Sequence, residues 1–438
     1  MRFAGACARA LLMLSLISLF APCQAERPAA FPVTITATDA DYHNAIVVIP
    51  LGRAYQGFKA HTVELVDHKA KRGKSGDRLA ADIVLRGDRM ELVTIIPELA
   101  KGSSRTFYVV TPVGGISRPL GVTVERAGKD VEIKVMPVGA AQSALFTRYL
   151  TASAPNKPCF YPMLTADGTN ITRRWPMEKD VSSDSHDHPH HRGMWFTHGS
   201  VNGVDFWSET RNTGKTINTG IEDVQSGAVC GTFRAHTDWQ VPDGRVIARD
   251  VRDVTVYPVP GGTLLDFDIT ITAVGGPLVF GDTKEGMFGL RLADSLSPHP
   301  TFPLRPKGAH CVNSEGLKDT ALWGKPANWV DYYGPLGSGN FGVAMFDAPD
   351  NIRHPETWHA RDYGLFAVNP FGLHDFGAGP AGAGDFTVPE GKTVRFRYRL
   401  YFHADEADKA GVAQQYAAFA DPPHAQVAGG AAGAKRKR

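Results

Sequence analysis

An all-β fold is what this 438-residue sequence predicts: a large antiparallel β-sandwich preceded by a small β-sandwich domain. Three observations carry that expectation. Apolar residues alternate with polar ones at period two in runs spread along the chain, as half-buried strands require. Gly, Pro and Asp punctuate those runs. Only one stretch, close to the end, has the composition of a helix.

Taken in order, the chain starts with Arg2 and Arg9 ahead of an apolar run, 10–21, that closes on Pro22-Cys23-Gln24-Ala25. This is the pattern of a signal peptide covering 1–25, which predicts a periplasmic or secreted protein. The run is shorter than the roughly 20 residues that a bilayer span needs, and no later stretch comes close, so no membrane span is expected. Ala25 offers an ordinary cleavage point, while Pro22 disfavours lipidation at Cys23.

Residues 26–119 form the expected small sandwich, with strand signals at 33–38, 46–49, 82–86, 91–96 and 106–111, closed by a Gly- and Pro-containing segment. Residues 120–404 form the large one, with runs at 122–125, 131–135, 246–256 and 341–346. Its clearest strands are 265–272, where Leu265, Phe267, Ile269 and Ile271 alternate with Asp266, Asp268, Thr270 and Thr272, and 394–402, where three Arg alternate with apolar residues. In both, one face reads as buried and the other as wet. A helix is expected within 405–422, and the Ala/Gly-rich, basic end at 423–438 reads as disordered.

Composition excludes several classes. Without the leader and the basic terminus the body is mildly acidic, which is not the footprint of a nucleic-acid binder. Only Cys159, Cys230 and Cys311 lie beyond the leader, enough for at most one bridge, so this is not a disulfide scaffold.

Chemistry concentrates in three islands. The first is 186–198, which holds five of the 16 histidines in thirteen residues. If it is extended, His188, His190, Arg192 and His198 share one face. Such a set offers ligands to a divalent metal, with His188, His190 and His198 as the first choice. Equally, His190 and His191 beside Arg192 can exchange protons and hold an oxygen, with Trp195 and His198 nearby. Asn202 and Asp205 continue the island, the Asn-Gly pair marking a tight turn. The second is 281–291, where Glu285 beside Lys284 is the best carboxylate for general acid or base work and Arg291 adds a cation. The third is 354–371, where Trp358, His359, Arg361, Asp362 and Asn369 have a sugar-site composition, an aromatic face for the ring and planar polar groups for its hydroxyls. Trp358 taken alone reads as core packing.

Three segments, HPHHRGMWFTHGSVNGVDFW from His188, DTKEGMFGLR from Asp282 and HPETWHARDYGLFAVNPFG from His354, together resemble the secreted PmoA-like family of bacterial proteins. The resemblance covers roughly residues 150 to 405. The label attached to that family, methane oxygenase, implies a membrane-embedded subunit, and a chain without spans cannot supply one. The resemblance further implies the large sandwich of galactose mutarotases. It implies a carbohydrate or glycoside ligand, with His190, His191, Glu285 and His359 as acid/base groups. On that reading the protein is an epimerase, lyase or hydrolase. The rival readings are a non-catalytic carbohydrate-binding protein and a metalloenzyme built on the histidine segment.

Overall fold

The computed structural model describes residues 31–52, 62–69, 78–111, 119–152, 156–298 and 308–427. The leader and residues 428–438 of the basic end lie outside the described residues.

Six strands open the chain: β1 (Phe31–Thr36), β2 (Tyr42–Leu51), β3 (Thr62–Asp67), β4 (Arg78–Arg86), β5 (Arg89–Leu99) and β6 (Ser104–Val110). Then come β7 (Val122–Ala127), β8 (Asp130–Val135), β9 (Ala144–Leu150), β10 (Cys159–Met163), β11 (Met194–His198), β12 (Lys215–Gln225), β13 (Gly231–Gln240), β14 (Val246–Val259), β15 (Gly262–Ala273), β16 (Leu278–Phe280) and β17 (Gly286–Arg291). The remainder are β18 (His310–Asn313), β19 (Trp329–Leu336), β20 (Gly339–Asp347), β21 (Trp358–Ala360), β22 (Leu365–Val368), β23 (Phe386–Val388), β24 (Thr393–Ala404), α1 (Ala407–Ala410), α2 (Val412–Ala420) and β25 (His424–Val427).

Three large sheets result. The first runs β2-β5-β4-β3-β6-β1-β25, the second β21-β22-β17-β11-β10-β9-β8-β7 and the third β12-β13-β14-β15-β24-β20-β19-β18. The second and third face each other as the large sandwich. Their shared core includes Phe160, Phe196, Phe288 and Trp358 from one sheet and Phe233, Phe267, Phe396 and Tyr398 from the other. The antiparallel class is as the alternation requires, because each strand has one face to bury.

The expected small sandwich takes the form of one curled sheet, in which β25 approaches β2 and the sheet wraps around its own apolar interior of Val33, Ile49, Leu65, Leu92 and Phe107. Two expectations for the end of the chain are corrected. The helix is broken at Gly411, whose φ of 69° lies in the left-handed region that caps helices. Residues 424–427, taken as part of a disordered tail, pair with β1 from Val33↔Val427 to Thr36↔His424. Local composition was a poor guide there, because the hydrogen bonds come from an edge nearly 400 residues away in sequence.

The polar face of β15 and β24 is also less wet than expected. Asp266 and Asp268 are engaged by Arg399 and Arg395, and Arg399 is only 6% exposed, lying over Phe419 of α2. The first sheet docks against the same side of the third, with Arg86 donating to Thr255 at 2.6 Å and Asp82 accepting from the backbone N–H groups of Ala228, Val229 and Cys230 at 3.2, 2.6 and 2.9 Å. Cys159, Cys230 and Cys311 are all buried free thiols.

Candidate active site

Strand parity on the second sheet decides which side chains can meet. Met194, Phe196, Leu290, Phe366, Val368 and Trp358 enter the sandwich core, so Trp195, Arg291, Ala367, Leu365 and His359 fall on the outer face. There Trp195 and Trp207 pack with Cys159, Leu365 and Ala367 in a separate apolar cluster. Gly289 leaves the room for those two rings, since a Cβ at that position would lie 3.0 Å from Trp207 and 3.1 Å from Trp195.

Above this floor the loop 172–193 is tied down by a buried guanidinium. Arg173, 1% exposed, donates to the carbonyls of Trp175 (2.8 Å), Asp187 (2.7 Å) and His188 (2.9 Å), and to Asp187 Oδ1 (2.6 Å). Arg291 donates to the same Oδ1 at 2.7 Å, and Asp294 holds Ser185 by its N–H and hydroxyl at 2.6 and 2.8 Å. Gly193 then delivers the loop into β11. Its φ is 58°, and a Cβ would sit 2.1 Å from the Phe160 carbonyl, so no other residue fits.

The other oxygen of Asp187 takes the proton of His188 Nδ1 at 2.7 Å. Burial alone would raise the Asp187 carboxyl. The hydrogen bond from His188 and the two guanidinium groups outweigh it and hold the group well below the usual carboxylate range. His188 sits at φ 46°, an uncommon conformation for a residue with a Cβ and one that concentrates at functional sites. Its ring is parallel to His191 at 4.7 Å and to Tyr363 at 5.1 Å, and the side chain is 42% exposed.

Around this pair stand other groups. His190 is half-buried and is pushed down to about 3 by burial and then by the charges of Lys157, His188 and Arg173. His191 is buried, stacked on Trp195 at 5.2 Å, and its Nδ1 accepts from Arg291 at 3.3 Å. Since a guanidinium only donates, the ring proton of His191 is on Nε2. His359 gives its Nδ1 proton to the Lys284 carbonyl at 2.7 Å and is also pushed down to about 3, by burial first. Tyr363 is raised to about 12 by burial, with Arg361 and Arg291 opposing and Glu285 and Asp187 assisting. Direct contacts link these groups on the outer face: His188 and Arg361 pack on Tyr363, and His359 bonds the Lys284 carbonyl next to Glu285.

The three islands therefore converge on this face, though not every residue expected there reaches it. The metal set is not assembled: the loop 186–193 is not extended, only Met194–His198 is a strand, and His198 points to the opposite side from Trp195. His198 is fully buried, gives a 2.7 Å hydrogen bond to the Gly281 carbonyl and packs against Phe280 and Phe371. Among the described residues no three His, Cys, Asp or Glu side chains lie close enough together to hold a metal ion.

Trp358 is core, with its Nε1 donating to Ala327 O at 2.9 Å, so it offers no ring to a ligand. Asn369 is also fully buried, bonded to Thr283 O and to Phe371 N. Asn202 and Asp205 shape turns, the first through Pro277 and Val279, the second through the N–H groups of Trp207 and Ser208. Arg192 is committed to Glu209 at 2.7 Å, and Trp195 is 1% exposed. Asp362 is half-buried beside Arg361. Sequence reasoning gave no site role to Arg173, Tyr363, Trp323 or the buried Lys157–Glu209 pair (3.2 Å), and it weighed His188 only as a metal ligand. The one signal available was Asp187 directly before His188.

Comparison with known proteins places this geometry in context. The family DUF6807, described as a family of unknown function, matches residues 139–417. Curated proteins give no match. Among solved structures, a protein in glycosyl hydrolase family 38 from Enterococcus faecalis shares 11% identity at a TM-score of 0.40, covering 91% of this chain and 47% of the other. An alpha-mannosidase from Enterococcus faecalis gives 11%, 0.38, 91% and 46%. This chain thus spans about half the length of each. A galactose mutarotase-like protein from Lactobacillus casei gives 11% identity and a TM-score of 0.31, over 65% of this chain and 100% of that one.

Proposed function

Because the chain belongs to DUF6807, a family of unknown function, its activity has to be read from its own side chains, and we propose that the outer-face cleft catalyses proton transfer on a sugar or glycoside. The observation that carries this reading is the Asp187–His188 pair. Asp187 is kept ionised and immobile by Arg173 and Arg291, so it fixes His188 with the proton on Nδ1 and the lone pair on Nε2. An exposed imidazole so oriented accepts a proton from a substrate hydroxyl or carbon acid and returns it.

Other groups complete the set. Tyr363, neutral with its phenol raised to about 12, donates a hydrogen bond without ionising. Glu285, one-third exposed with Lys284 at 3.1 Å, is the second proton-handling group. His190 and His359, both pushed down to about 3, are uncharged at neutral pH. A neutral imidazole has one donor and one acceptor, and since His359 spends its donor on the Lys284 carbonyl, it offers a ligand hydroxyl the acceptor Nε2. The leader expected at 1–25 would send this chemistry to the periplasm or beyond.

The test is turnover of a panel of free sugars and glycosides, followed by NMR of the substrate. His188→Gln should lower the rate at least about 100-fold, and Glu285→Gln by a similar factor, with Tm within a degree of the parent. Unchanged turnover in both variants would sink the assignment. Binding without turnover by the parent protein would replace it with a carbohydrate-binding role.

A further inference from the structure

The cations of this face are matched by carboxylates except at its rim, and the exception says more about the ligand. Arg173 and Arg291 are both without side-chain exposure, yet they share a single carboxylate, Asp187, through the same oxygen at 2.6 and 2.7 Å. Asp294, which holds Ser185 between the two guanidinium groups, adds a second buried carboxylate whose charge acts on Arg173. At the rim Arg361 is half-buried, with its guanidinium 5.6 Å from the Trp323 ring centre and 5.3 Å from that of Tyr363. Among the described residues no carboxylate lies within ion-pair distance of it. Two aromatic faces hold the plane of that guanidinium without using its N–H donors, which leaves the fork preorganised for a planar anion. The field is felt at His359, which burial and then the charges of Arg361 and Lys284 depress.

We infer that the sugar taken by this cleft carries a carboxylate, which docks on Arg361 where the guanidinium lies against Trp323 and Tyr363. The inference rests on the acid/base reading of the same cleft and adds the substrate class, a uronic acid or a glycoside of one. The geometry suits the chemistry. Arg361 and His188 both pack on the Tyr363 ring, at 5.3 and 5.1 Å from its centre, so the anion site and the base are gathered around one side chain. Once the carboxylate is paired with Arg361, its negative charge is neutralised, which eases removal of a proton from the neighbouring carbon by a base such as His188.

The experiment uses the mature chain at 50 mM NaCl, titrated with D-glucuronate, D-galacturonate and D-mannuronate, with D-glucose, D-galactose, D-mannose and acetate, and followed by ligand-observed NMR. At least one uronate should bind 10-fold or more tighter than its neutral parent. Arg361→Gln should cost that uronate 10-fold or more while leaving the neutral sugar unchanged, and 500 mM NaCl should weaken only the uronate. Arg361→Lys, which keeps the charge and loses the planar fork, should fall between, and it serves as the test if Arg361→Gln does not fold.

Uronates binding no better than neutral sugars would overturn the inference and leave the acid/base reading standing. Acetate binding as tightly as the uronate, with the same dependence on Arg361, would mean a site for a free small anion and also overturn it. If neither kind of sugar binds, both readings fall.

Discussion

Asp187→Asn tests the architecture of the cleft directly. The substitution keeps the shape of the side chain and removes its charge, so two guanidinium groups with no side-chain exposure lose the carboxylate they share. Removing one partner of a buried ion pair costs about 3–5 kcal/mol. Asp187 itself is 33% exposed and its replacement still offers one acceptor oxygen, so the low end, about 3 kcal/mol, is the right expectation. At roughly 2 °C per kcal/mol for a large domain, Tm should fall by about 6 °C in a calorimetric scan at pH 7.

The sign with pH follows from the same contacts. A carboxyl held below its ordinary value contributes stability that is fully present above the unfolded pKa of about 4 and is lost as pH falls through the lower folded value. The gap between parent and variant should therefore be the same at pH 5 and pH 7 and narrow below about pH 4. A Tm change under about 2 °C, or a gap that grows on acidification, would refute the bridging role. Arg291→Gln combined with Asp187→Asn should destabilise less than the sum of the two, by about 1–3 kcal/mol, since the second change removes a charge already stranded by the first.

Other expectations follow from the packing. Trp358→Phe should cost about 1–3 kcal/mol of stability through the lost Ala327 bond and the void, with ligand binding unchanged; weakened binding at unchanged stability would return Trp358 to the site. Gly193→Ala should destabilise by more than about 1 kcal/mol and should blunt turnover, because the Phe160 carbonyl must move; a normal Tm would show that the loop enters β11 differently. His190, His198 and His359 are depressed to about 3, 4 and 3, so their contribution to stability is complete above the ordinary histidine value of about 6.5 and is lost as pH falls toward those values. The urea midpoint should therefore drop between pH 7 and pH 4.5, and an unchanged midpoint would mean that these rings are solvated.

The sequence made the sheets legible where one face is core and the other polar. Leu265 to Thr272 and Val394 to Phe402 show this, since alternation is imposed by burial and survives any change of partner. It also singled out three segments that the fold brings into contact. What it could not resolve was parity. His198 and His188 look equivalent as histidines in one run, but a left-handed residue at His188 and Gly193 break the extended register between them. Trp358 and His359, adjacent in sequence, go to opposite faces of β21, so the aromatic that seemed a platform is core and the histidine beside it lies on the cleft side. Arg173 gave no local signal, because its worth depends on Asp187 and Arg291, which only the fold brings within reach.

The pairing of β25 with β1 sets a constraint on how the protein can be made. Six strands of the first sheet are synthesised early, but the strand that covers the edge of β1 arrives roughly 300 residues after β6 ends. At roughly 5–20 residues per second, translation leaves that edge uncovered for about 15 to 60 seconds. During that interval the nascent amino-terminal sheet presents an open row of backbone donors and acceptors, available to a second nascent chain or to a holding chaperone. A ribosome stalled anywhere before His424 releases a product whose first sheet is incomplete, however much of the large sandwich it has already built.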